Sequence, residues 1–262
     1  MHAGVARPCS VPSWRLSSHE ATITPEPDKS LVSLGTSGVL WATTKRFMPY
    51  PQAAVHAFCH AVPATWHQMG VTLSAAASLA WWAAVADRPE ASLLAEMPER
   101  VTPGTTLFLP YLSGERTPHN DGSVRGAFAG LSHDTGRAAL TQAVLEGVAF
   151  SFRDCLDALA ASGTRITEAD VIGGGSRSRV WVSIIASALG IPLHRIADGE
   201  HGGAFGAARL ARLAVTGEAP SDVCLPPVRC ETVMPDPVLS DAYARSLTRY
   251  RALYAAIAGL CS

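Results

Sequence analysis

Several things are missing from this sequence. No run of about 18 apolar residues occurs, so no membrane-spanning helix is expected. No basic block occurs either: 21 Lys and Arg are scattered among 22 Asp and Glu, giving a formal net charge of −1. A phosphate-backbone footprint for nucleic acid is therefore not expected. None of the six cysteines forms a C-x-x-C pair, and the start, Met1-His2-Ala3-Gly4, has no apolar core of a secretory signal. Free thiols in a reducing cytoplasm follow as the expectation. No internal repeat is present. Against these absences stand 262 residues, 48% hydrophobic and 16% charged, enough to bury a sizeable core in one large or two small domains.

Residues 1–28 differ in texture from the rest. Pro8, Pro12, Pro25 and Pro27 break any periodicity, and a disordered tail is expected there. From Lys29 onward, Leu31–Leu34 and Val39–Ala42 predict a hairpin around Gly35-Thr36-Ser37-Gly38. A second strand pair is expected over 57–61 and 65–69, then a helix over Val71–Ala86 carrying Trp81 and Trp82 as core residues. A strand at 106–110 precedes a polar loop, 111–125, and a strand or tight turn at 126–131. Leu140, Val144, Val148, Phe152 and Leu156 recur every fourth residue and predict a long amphipathic helix. A strand over 168–172, a glycine turn, a helix over 180–189, a strand over 192–196 and a helix from Gly202 follow. Residues 216–238 read as loop, and Tyr243, Leu247, Tyr250, Tyr254 and Ile257 mark a final helix. Hairpins first, then alternating helix and strand, predict an α/β protein with a mixed sheet and flanking helices.

The stretch Asp170-Val-Ile-Gly-Gly-Gly-Ser-Arg-Ser178 runs a strand into bare backbone and then into a helix. Main-chain N–H groups there are open to a flat or anionic ligand, because no Cβ blocks them. Gly173, Gly175 and a later acid, Asp198, approximate a dinucleotide-binding fingerprint, which keeps an NAD-binding Rossmann oxidoreductase as an alternative. The turn Gly35–Gly38 is either a plain hairpin turn or an anion nest with a threonine donor. His56, Cys59, His60 and His67 match no common zinc spacing, so packed histidines are expected and no metal site is assigned. In the 111–125 loop, Glu115, Arg116, His119, Asp121 and Arg125 suit a ligand or lid role, without an assignable acid–base pair.

Taken in order, further motifs add to these: Val55-His-Ala-Phe-Cys-His60, Tyr111-Leu-Ser-Gly-Glu-Arg-Thr-Pro118, Arg125-Gly-Ala-Phe-Ala-Gly-Leu131, Ala143-Val-Leu-Glu-Gly-Val148 and Phe205-Gly-Ala-Ala-Arg-Leu210. Together with Leu31–Val39 and Gly173–Ser178, they resemble the C-terminal half of the FGGY carbohydrate kinases, most closely that of the xylulokinase members. The resemblance runs from about residue 29 to the end. It implies one lobe of the actin-like ATPase (ribonuclease H-like) fold, with ATP as ligand and Mg²⁺ on its phosphates. It implies that Gly35 and Thr36 meet the phosphates. Gly173, Gly174, Gly175 and Ser178 would border the adenosine, with Gly202 and Gly203 nearby and Glu115 and Arg116 in a cleft loop.

The implied reaction moves the γ-phosphate of ATP to a sugar hydroxyl, D-xylulose to D-xylulose 5-phosphate. The family's catalytic aspartate would fall within Ala3–Pro27, where nothing matches, so no catalytic residue is assigned. Ala139 also departs from the polar residue the family prefers. Residues 29–262 are thus expected to be an ATP-binding domain without its sugar-binding lobe. On this reading the chain is a fragment, a split-enzyme partner or a non-catalytic remnant. Sugar would bind only if an N-terminal lobe were supplied. No membrane or nucleic-acid partner is expected, and a homodimer is carried as one arrangement.

Overall fold

A computed structural model describes residues 29–199 and 202–260. The tail expected over 1–28 lies outside them, as do Cys9 and Cys261. Two antiparallel strands come first, β1 (Ser30–Leu34) and β2 (Gly38–Thr44). Leu34 faces Gly38, leaving Gly35, Thr36 and Ser37 as the turn. β3 (His56–Cys59) and β4 (Trp66–Thr72) extend the sheet beyond β2 by antiparallel pairing.

On the other side of β1, β7 (Ala169–Ile172) pairs parallel, and β8 (Leu193–Ile196) pairs parallel with β7. β9 (Arg229–Val233) closes that edge antiparallel, so the order is β3-β4-β2-β1-β7-β8-β9. A separate ribbon joins β5 (Leu107–Leu109) to β6 (Ala127–Ala129). This is the expected mixed sheet with hairpins first.

α3 (Arg137–Ala161) packs against β4, β5 and the helices α4 (Arg179–Leu189) and α7 (Pro237–Ala258). That surround explains why burial on α3 extends past its four-residue stripe to Thr141, Ala143, Ala149 and Cys155. α4 buries Trp181, Ile184, Ile185 and Leu189, each worth roughly 1.5–3 kcal/mol of transfer free energy when fully buried. The indole N–H of Trp181 donates to the Leu145 carbonyl at 3.2 Å, so the ring is buried without an orphan donor. α7 starts at the Asp236 cap, whose carboxylate accepts from the N–H groups of Val238 and Leu239, with Pro237 at the first helical position. α1 (Ala76–Val85), α2 (Glu90–Ala95), α5 (Gly202–Thr216) and the single turn α6 (Pro220–Val223) complete the elements.

Four expectations change. The helix expected from Val71 begins at Ala76, because Val71 and Thr72 finish β4 opposite Val39 and Gly38. The stretch 216–238 is not all loop: it holds α6 and the edge strand β9. β9 has no apolar alternation because charge holds it in place. Arg229 donates to Asp170 at 2.8 Å and to Glu168 at 2.9 Å, while Glu231 accepts from Arg179 at 2.6 Å and from Arg195 at 2.8 Å. The Rossmann alternative fails on topology, since β1–β2, β2–β4, β3–β4 and β8–β9 are all antiparallel. Finally, Cys155, Cys224 and Cys230 are free thiols, but Cys59 is disulfide-bonded.

The tryptophans and histidines pack, as expected. The Trp82 indole donates to the Thr141 hydroxyl at 2.9 Å, and Trp81 stacks on Phe108 with centroids 5.7 Å apart. His67 stacks on Trp41 at 5.3 Å, and burial together with the neighbouring His60 lowers its pKa to about 3.

Candidate functional site

Because β1 and β7 are parallel neighbours in register (Ser33 opposite Ile172), both strands finish at the same end of the sheet. The turn after β1 and the glycine turn after β7 therefore lie side by side. Contact between them is direct. A β-carbon on Gly173 would fall 2.9 Å from the Gly35 nitrogen, and one on Gly175 would fall 2.5 Å from Leu34 Cγ. Gly173 has φ 90° and ψ 168°, a conformation nearly closed to residues with a side chain.

The glycine turn is a short 3₁₀ segment, Gly174–Arg177, rather than a simple loop. The Ser176 hydroxyl and N–H both bond the Gly173 carbonyl, at 2.7 and 3.0 Å. Ser178 caps α4, its hydroxyl accepting from the Trp181 N–H at 3.3 Å. Gly174 is exposed, with Gly173 and Gly175 half-buried beside it. Thr36 and Ser37 are exposed at the adjoining turn. The result is a shelf of main chain, polar and free of bulky side chains, at one end of the sheet.

A third segment reaches the same end. The Gly173 N–H donates to the Gly199 carbonyl at 3.0 Å. Gly199 precedes α5, which opens with Gly202 and Gly203. The first turn of a helix carries N–H groups without intrahelical partners and a partial positive charge, both suited to an anion. Of the sequence-predicted residues, Gly35, Thr36, Gly173, Gly174, Gly175 and Ser178 are thus gathered around two touching turns. Gly202 and Gly203 open α5, three and four residues after Gly199 in the sequence.

Glu115 and Arg116 part company. Arg116 is exposed, whereas Glu115 is buried, its carboxylate accepting from the Thr72 hydroxyl at 2.6 Å and from the N–H groups of Leu73 and Arg116 at 3.0 and 2.6 Å. Burial raises its pKa to about 7 despite these three bonds. Glu115 therefore does not face a ligand in the open shelf; it lies behind the first turn.

Sequence reasoning missed Arg195. From β8 its Nε donates to the Ser176 carbonyl at 3.0 Å and its Nη2 to the Arg177 carbonyl at 3.3 Å, clamping the glycine turn from beneath. Glu231 on β9 holds the same guanidinium at 2.8 Å. An arginine inside a short strand gives no local signal of this role, and its partner sits on a strand the sequence concealed.

Residues 30–215 match the model of the FGGY family of carbohydrate kinases, C-terminal domain. The chain is 39% identical over 232 residues to the xylulose kinase of Escherichia coli K12, covering 87% of this chain and 48% of that protein. It is 43% identical over 206 residues to the xylulose kinase of Klebsiella pneumoniae, covering 78% and 42%. Among solved structures, a kinase from Brucella ovis described as a xyloylose kinase superposes with a TM-score of 0.86 at 50% identity, covering 93% of this chain and 50% of that one. The xylulose kinase of Rhodospirillum rubrum gives 0.77 at 28% identity, with the same coverage. The chain spans about half the length of the curated relatives it matches. Its mixed sheet is that of one lobe of the actin-like ATPase fold, and the chain belongs to the FGGY family of carbohydrate kinases, in the part that forms their C-terminal domain.

Proposed function

We propose that this chain is the nucleotide-binding lobe of an ATP-dependent sugar kinase with D-xylulose as acceptor. The observation that carries the reading is the contact between the turns at Gly35–Ser37 and Gly173–Arg177. A nucleotide is long, anionic at one end and flat at the other, and two adjacent main-chain shelves suit those two ends. Gly35 and Thr36 would bind the phosphates through N–H groups and the threonine hydroxyl. Gly173, Gly174 and Gly175 would let the adenosine lie on bare backbone beside Ser178, with Gly202 and Gly203 at the start of α5 nearby.

When bound, ATP supplies the phosphoryl group, and Mg²⁺ neutralises charge on its phosphates. Among the described residues no group of three or more His, Cys, Asp or Glu converges in a metal-ligating cluster. A cation held chiefly by phosphate oxygens and water fits that surface, since Mg²⁺ keeps several waters. The contribution of this chain is positioning: it orients the nucleotide and offers fixed dipoles to the phosphates. We assign the acceptor site and the base that takes the hydroxyl proton to the half of the relatives that this chain does not match. The purified chain is then expected to show no sugar-dependent consumption of ATP.

The test is calorimetric titration of the chain with Mg²⁺–ATP and, separately, with NAD. Saturable ATP binding is the expected result. NAD binding without ATP binding, or robust turnover of D-xylulose by the chain alone, would overturn the proposal.

A further inference from the structure

Glu115 is a carboxylate with 2% exposure in the loop between β5 and β6, on which three donors converge. Two of them belong to Thr72 and Leu73, where β4 ends opposite the first turn. Thr72 pairs with Gly38. The Leu73 carbonyl accepts from the Ser37 hydroxyl at 3.2 Å, so one residue is held by Glu115 through its N–H and holds the turn through its carbonyl. The chain then crosses directly behind the turn. The N–H groups of Ala75 and Ala77 donate to the Thr36 carbonyl at 3.0 and 3.2 Å, and that of Ala76 donates to the Gly35 carbonyl at 2.8 Å.

These bonds fix the peptide planes of the turn from the rear. Holding the carbonyls of Gly35 and Thr36 toward α1 constrains the orientation of the N–H groups that follow them in the chain. The segment doing the holding leaves a strand and enters α1 without a side-chain cap, Ala75 standing at φ −99° and ψ −96°. Its route is instead set by the bonds to Glu115. Thr117, two residues on, secures the same loop: its N–H donates to the Val71 carbonyl at 2.9 Å and its hydroxyl accepts from the Val71 N–H at 3.0 Å.

We propose that Glu115 is a positioning residue for the phosphate-binding turn: it braces Thr72 and Leu73 so that Gly35, Thr36 and Ser37 present their main chain to the phosphates of a bound nucleotide. This rests on the nucleotide reading above. A carboxylate that merely stabilised its own loop would affect every ligand alike. A brace on the phosphate turn affects phosphates and spares the nucleoside, which lies on the other turn.

The experiment titrates the full chain and its variants with Mg²⁺–ATP and with adenosine. Glu115→Ala is expected to weaken ATP binding by about tenfold or more, with adenosine binding changed by less than about twofold. Glu115→Gln is expected to rescue most of that loss, because its amide oxygen still accepts from Leu73 and Arg116 while its NH₂ donates to the Thr72 hydroxyl oxygen. Should Glu115→Ala fail to fold, Thr72→Val decides in its place; it removes one of the three bonds at nearly constant shape and is expected to weaken ATP several-fold while sparing adenosine. Unchanged ATP affinity, or equal loss for both ligands, would overturn the brace. Wild-type chain that binds neither ligand would instead remove the nucleotide reading, and the brace with it.

Discussion

Gly173 and Gly174 are adjacent in sequence and opposite in surroundings. A β-carbon on Gly173 would lie 2.6 Å from the Leu34 carbonyl oxygen, whereas one on Gly174 would meet nothing nearer than Arg177 Nη2 at 3.6 Å. The first glycine is there so that two strands can end in contact. The second leaves the shelf bare.

Substitution separates those roles. Gly173→Ala places a side chain at φ 90° against backbone that cannot swing away, and is expected to cost about 2–3 kcal/mol or more of stability. Gly174→Ala is expected to stay within about 0.5 kcal/mol of wild type, as other exposed substitutions do. Urea denaturation of both variants reads the difference, and equal losses would mean that the contact between the turns is not what glycine provides at 173.

The clamp by Arg195 makes a second prediction. Arg195→Ala removes two charge-assisted bonds to the carbonyls of Ser176 and Arg177 and leaves Glu231 with Arg179 alone. A loss on the order of 1–3 kcal/mol is expected. In a double-mutant cycle with Glu231→Ala the coupling should be smaller, about 0.5–1 kcal/mol, because both side chains retain nearly a third of their exposure and water screens the pair. Coupling as large as the whole Arg195 effect would transfer the clamp's importance from the carbonyls to the ion pair.

Much of this architecture could be read before any coordinates. The β1–β2 hairpin, the strand–glycine–helix unit and α3 announce themselves through period and punctuation, and the order of motifs pointed to the two turns sharing a ligand. Their contact could not be read locally: β1 and β7 pair across 139 positions of sequence, Leu31 with Asp170, and register at that range is set by packing. β9 stayed hidden because its cohesion comes from Arg229 and Glu231 at a sheet edge, where no apolar alternation is required. Glu115 read as a cleft-loop residue suited to a ligand or lid role. Nothing in the residues around it showed that Thr72, Leu73 and its own neighbour Arg116 would wrap it away from water.

That burial has a pH signature. The folded protein holds a proton on Glu115 up to about pH 7, against about 4.5 for an unperturbed glutamate. Between those values the native state binds more protons than the unfolded chain, so this group's contribution to stability falls as pH rises through the window. Glu115→Gln removes the slope. Relative to wild type, the variant is expected to gain about 3 kcal/mol between pH 4.5 and pH 8, measured by chemical denaturation across the range. A difference that stays constant with pH would show that Glu115 takes up its proton at the same pH in the folded as in the unfolded chain.

His119 acts in the opposite direction over much of the same range. Its ring stacks on Tyr254 of α7 with centroids 3.6 Å apart, and its Nε2 lies 3.3 Å from the Tyr111 hydroxyl, which itself accepts from the Tyr250 hydroxyl at 2.9 Å. The chain of contacts ties the loop carrying Glu115 to the C-terminal helix. Burial lowers the His119 pKa to about 4; Asp121 opposes that shift, and Arg251 reinforces it. Between about pH 6.5 and pH 4 the unfolded chain is the better proton acceptor at this site. The stability His119 contributes is therefore complete above about 6.5 and is lost as pH falls toward 4. Imidazole resonances followed by NMR should give a midpoint near 4 for His119, and one at 6.5 or higher would contradict a desolvated, neutral ring. His119→Phe keeps the stack but leaves the Tyr111 hydroxyl proton without its acceptor, so a loss of about 1–2 kcal/mol at neutral pH is expected. The variant should be less sensitive to acid than wild type, because the group that must take up a proton there is gone.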